Sequence, residues 1–137
     1  LTASVLAVGI GGFFALRRIE NEYRNYAALR AVEVLIKDHL SRGPVGQFPS
    51  SWKDLDNDDN GKQETVFTVK ELSERVVVNW EVGSRCLETA IATGEAQTFR
   101  VISLSDGSRG RWHGDDPNQN LVNYILDLGR NRRTVHE

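Results

Sequence analysis

The run LTASVLAVGIGGFFAL, residues 1–16, contains no charged side chain and is closed by Arg17 and Arg18. A segment of this kind satisfies its backbone groups within itself as a helix, and everything after it must be arranged around that helix. Crossing a bilayer takes about 20 apolar residues, within a range of roughly 17–25, so the run is just short and additional apolar residues upstream would complete it. It is read as a single-pass transmembrane anchor over 1–18, with residues 19–137 as the head. A secretory signal core and a helix buried in a globular core are the competing readings. Against the signal core, no small-x-small cleavage site precedes a polar start, and helical periodicity continues past the arginines.

Within this segment Ala3, Ala7, Gly11 and Ala15 recur at four-residue intervals. Small residues at that spacing allow close backbone approach between helices in lipid, so they predict association with a second helix, from another copy or from a partner. The plainer reading is that glycine and alanine are common in membrane helices. Arg17, Arg18, Arg24 and Arg30 follow, offset by Glu20 and Glu22, which leaves the side of the membrane occupied by the head open.

From Ile19 to Leu40 the helix continues. Leu29, Val32 and Ile36 form one apolar stripe, widened by Ala28, Ala31, Val34 and Leu35, and Arg42-Gly43-Pro44 supplies a stop. FPSSWKDL (48–55) predicts a helical turn capped at Ser51, with Asp54 completing a capping box and Trp52 and Leu55 as buried anchors. RVVVNWEV (75–82) alternates Val76, Val78, Trp80 and Val82 on one face and predicts a strand. TFRVISL (98–104) predicts a second strand, with Asp106-Gly107 as a turn and Arg109 to His113 as the return of a hairpin. The last element is a helix capped by Asp116, with Pro117 at its first position and Gly129 just past its end. The fold class is therefore α+β: a long N-terminal helix, half in the membrane and half amphipathic, on a small antiparallel sheet with a C-terminal helix.

This order resembles the type IV pilins and type II secretion pseudopilins, which likewise run an apolar N-terminal helix into an amphipathic half and a small sheet. The turn Pro49-Ser50-Ser51-Trp52-Lys53-Asp54-Leu55 adds to the likeness, while Val5 stands where that family's acidic residue is expected. The resemblance implies a non-enzymatic structural role in a membrane-associated or surface assembly.

The composition agrees with one globular domain: 137 residues, 39% apolar, 26% charged, formal charge −2. That balance gives no bias toward nucleic acid, and Arg109, Arg111, Arg130, Arg132 and Arg133 read as a solvated face beside Asp115 and Asp116. The single cysteine, Cys86, excludes an internal disulfide and reads as a buried, inert thiol. His39, His113 and His136 have no zinc spacing, and no serine sits in a nucleophile-elbow motif.

One stretch points to chemistry. In DLDNDDNGK (54–62), Asp56, Asp58, Asn60 and Gly61 match the opening of an EF-hand loop, with Glu64 at its ninth position. Phe67 occupies the twelfth, where a bidentate glutamate is required. Acidic–glycine turns also form without metal, because Asp and Asn side chains bond their own backbone. The sequence thus predicts a membrane-anchored structural or interaction protein that is not an enzyme. A calcium-dependent binding module using loop 56–64 is the alternative.

Overall fold

The computed structural model describes residues 2–43, 47–56, 67–95, 99–108 and 114–135, with side chains described at 12 and, within those stretches, from 14 to 134. Helix α1 (Thr2–Arg42) is the longest element, followed by α2 (Trp52–Asp56), α3 (Val69–Arg75) and strand β1 (Val76–Val78). Helix α4 (Trp80–Thr93), strand β2 (Ile102–Leu104) and α5 (Pro117–Val135) complete the order. Among the described residues the chain is mostly helical with a small two-stranded antiparallel sheet, an α+β arrangement.

The two strands pair antiparallel, Val76 with Leu104, Val77 with Ser103 and Val78 with Ile102. Val76, Val78, Ile102 and Leu104 face inward, as a period of two requires, while Val77 is exposed. Bonds from Asn79 N–H to the Val101 carbonyl (2.8 Å) and from Ser105 N–H to the Arg75 carbonyl (2.9 Å) prolong the pairing at both ends. Onto this ribbon pack the C-terminal half of α1, through Ala28, Leu29, Val32, Ile36 and Leu40, and α5, through Leu121, Val122 and Ile125.

Helix α4 lies along α5, the most extensive contact between elements. It buries Gly83, Cys86, Leu87 and Ala90, and its small residues permit the approach. A Cβ at Gly129 would stand 2.6 Å from the Ala90 carbonyl carbon, so that glycine is a helix–helix contact point inside α5, not the end of it. A Cβ at Gly83 would meet the Phe48 ring at 2.3 Å, and Phe48 in turn packs on Trp80, whose ring also receives Trp52 edge-on at 5.5 Å.

The strand expected over 75–82 stops at Val78, because Asn79 caps a helix: its side-chain oxygen accepts from the Val82 N–H at 3.1 Å. Trp80 and Val82 therefore belong to α4. Likewise the second strand begins at Ile102, and its partner is β1. The return strand expected over 109–113 lies outside the described residues.

The single-pass membrane anchor is overturned. Among the described residues, no helix is long and apolar enough to cross a membrane. Within α1 the uncharged stretch gives way to Arg17, Arg18, Glu20, Glu22 and Arg24 over the next two turns. The long N-terminal helix itself is present as expected.

Candidate functional site

Helix α1 changes surroundings at Asn25. Beyond that residue it is the spine of the core. Before it, every described residue from Phe14 to Arg24 is exposed except the half-buried Glu22. Phe14 (65%), Leu16 (65%), Ile19 (61%) and Tyr23 (74%) present large apolar surface there. At 3.6 residues per turn, the seam Leu16, Ile19 and Tyr23 lies roughly 140° around the helix from the core stripe Leu29, Val32 and Ile36. The seam thus faces away from the head, and the exposed Arg30 and Val34 continue the same outer face.

Asn25 fixes the point where the helix enters the head. Its amide donates to Asp106 Oδ2 (3.4 Å) and its carbonyl accepts from Arg75 Nη1 (3.3 Å), tying α1 to the end of α3 and to the turn after β2. The Ser108 hydroxyl and N–H both serve Asp106 and hold its carboxyl below the usual carboxylate range. Further along α1, Glu33 is 2% exposed. It accepts from Arg30 (3.1 Å), Lys37 (2.6 Å) and, across the interface with α5, Asn120 (3.5 Å). Lys37 also sits 5.6 Å from the centre of the Tyr124 ring. A buried carboxylate with three donors ties α1 to α5.

Two of the hollows that adjoin these elements among the described residues bear on the site. One, about 260 Å³, is lined by Leu29, Arg100, Ile102, Ser108, Asp116 and Asn118 among others. Two of its polar groups, Asp116 and Asn118, are committed to the fold. Asp116 caps α5 through the Asn118 N–H (3.0 Å), and the Asn118 side chain accepts from the Val101 and Ile102 N–H groups and donates to the Phe99 carbonyl. The other, about 700 Å³, runs between α1 and α3 beside Tyr23, Ala27 and Phe67, with Arg24, Glu71, Glu74 and Arg75 along its rim.

Of the residues singled out in the sequence, Ala15 is exposed on α1. Ala3, Ala7 and Gly11 lie on the same helix, and their side chains are outside the description. Asp56 is exposed at the end of α2, whereas Asp58, Asn60 and Glu64 fall outside the described residues. Phe67, at the loop's twelfth position, packs against the core. Among the described residues, no group of three His, Cys, Asp or Glu side chains is placed to hold a metal. Asp54 bonds the N–H and hydroxyl of Ser50, both at 2.8 Å, which lowers its pKa; the reach-back is to Ser50, one residue before the expected cap. Cys86 is buried, and desolvation pushes its thiol up to about 11, the inert state expected of it.

Sequence reasoning did not single out Glu33, Asn25 or Asn118. Glu33 carries a readable signal, since Arg30 and Lys37 at three and four residues' distance bracket it on one helix face. Set against protein-family models, curated proteins and solved structures, the chain matches none of them.

Proposed function

We propose that this chain is a non-enzymatic structural or interaction protein with a pilin-like layout, in which the N-terminal half of α1 is the element that docks on another helix. The observation that carries the reading is the exposure of Leu16, Ile19 and Tyr23 along one face of the helix. A monomer rarely leaves a contiguous apolar patch of that kind uncovered, and such patches mark interaction surfaces. The four-residue spacing of Ala3, Ala7, Gly11 and Ala15 extends the same element with residues that permit close helix packing.

The test is the size of the tagged chain in an extract of the cells that make it. The wild type is expected in particles larger than a monomer, and the triple variant Leu16→Glu, Ile19→Glu, Tyr23→Glu at monomer size with an unchanged melting temperature. A wild type of monomer size, or a triple variant that stays in the larger particles, contradicts the reading.

A further inference from the structure

The seam of α1 sits in a stretch with an internal symmetry. From Arg18 to Arg24 the residues read basic, apolar, acidic, amide, acidic, apolar, basic: Arg18, Ile19, Glu20, Asn21, Glu22, Tyr23, Arg24. All seven are exposed except the half-buried Glu22. A sequence of that form reads the same in both directions, so a two-fold antiparallel pair repeats it symmetrically about its centre. We propose that the helix docking on this seam is the same helix of a second copy, packed antiparallel about a two-fold axis level with Asn21. The inference rests on the reading of α1 as a docking element and names its partner.

Such an axis sets Ile19 of one chain opposite Tyr23 of the other, twice over, and Leu16 level with Tyr26. The charges follow from helical geometry. Glu20 and Arg24 lie on one flank of the seam, Arg18 and Glu22 on the other. In a two-fold antiparallel pair each flank meets its own copy, because the contact is isologous. Glu20 then approaches the second chain's Arg24 on one side, and Glu22 approaches its Arg18 on the other. Within one chain Arg18 already reaches Glu22 at 3.5 Å, so the pairing extends an existing ion pair across the interface. Exposed ion pairs of this kind add little affinity, which comes from the apolar seam, but they fix register and direction. The heads leave room for the contact, since the core stripe lies roughly 140° around α1 from the seam.

Sedimentation of the purified chain over a wide concentration range tests the partner. A reversible dimer is expected. Glu20→Arg with Glu22→Arg makes both flanks wholly basic and should weaken it by on the order of a hundredfold in Kd. Adding Arg18→Glu and Arg24→Glu restores the pattern with signs exchanged, and with it the dimer. A purified wild type that stays monomeric overturns the second-copy inference alone, leaving the docking element intact if the extracted chain is large. The register has its own readout. A mixture of Ile19→Cys and Tyr23→Cys chains under mild oxidation should form the mixed disulfide faster than either chain links to itself, with buried Cys86 standing aside. Equal rates in all three samples, or a dimer indifferent to charge reversal, overturn the antiparallel register.

Discussion

The two halves of α1 are one continuous helix with opposite surroundings. The C-terminal half buries Ala28, Leu29, Val32, Ile36 and Leu40 and keeps its one buried carboxylate, Glu33, bonded to Arg30, Lys37 and Asn120. The N-terminal half carries large apolar side chains too, Leu16, Ile19 and Tyr23, and leaves them exposed. The backbone does not distinguish the halves. What differs is which face carries the apolar residues: the core stripe turns to the head, and the seam turns away from it. Helix formation and helix burial are separate outcomes, and only the second says where a partner is still missing.

The sharpest way to break this comparison is to truncate the same residue type in each half. Ile36→Ala removes a side chain with no exposure and should cost about 2–5 kcal/mol of folding stability by denaturant titration. Ile19→Ala, at a site 61% exposed, should leave the dilute chain's stability within about 0.5 kcal/mol while weakening its association. Equal losses at both positions would make the N-terminal half part of the head. Charge gives the next test. Glu33→Gln is expected to cost about 1.5–3 kcal/mol, because the carboxylate holds charge-assisted bonds in a buried place. Its partners retain solvent access, Arg30 at 51% and Lys37 at 30%, so the larger penalty of stranding a buried charge does not arise. Glu22→Gln, in an exposed pair, should cost under about 1 kcal/mol.

A smaller effect appears with pH. Cys86 is protonated in the folded state up to about 11, above its ordinary value of 9.0. Its contribution is complete below the unfolded thiol's pKa and is lost as pH rises from there toward the folded value. Between those limits the wild type should lose stability faster than Cys86→Ala; parallel profiles would show that burial does not hold the proton. The smallest expected effect is that of calcium. Millimolar calcium should leave the melting temperature where it is, since Phe67 packs on the core at the position where a bidentate carboxylate closes such a loop. A rise of several degrees would make loop 56–64 a ligand site and favour the binding-module alternative.

The parts of the fold that were legible in the sequence are those with an unambiguous period or cap. The stripe Leu29, Val32, Ile36 and the cap Asp116-Pro117 announced α1 and α5. Helix α4 was hidden because its buried face is Gly83, Cys86, Leu87 and Ala90, where small residues carry little apolar signal. The alternation Val76, Val78, Trp80, Val82 also ran straight through the cap at Asn79. Helix α3 offered Thr68 with Glu71 three residues on, a cap pattern in a stretch with one buried apolar residue, Leu72. Gly129 read as a helix end because glycine serves that purpose as often as it serves close packing, and only the position of Ala90 separates the two. In the candidate site, Leu16 stood in the run read as an anchor, whereas Ile19 and Tyr23 were not singled out. Their facing away from the head depends on which stripe the core takes, and that is settled by α5 and the sheet rather than locally.

Amide hydrogen exchange along α1, measured on the wild type at low and at high protein concentration, tests the division most directly. In the dilute sample the amides of residues 28–40 should be strongly protected and those of residues 14–24 should exchange fast, as expected where few buried contacts hold a helix. At high concentration protection should rise in residues 14–24 alone. Uniform protection along the whole of α1 in the dilute sample would contradict the account.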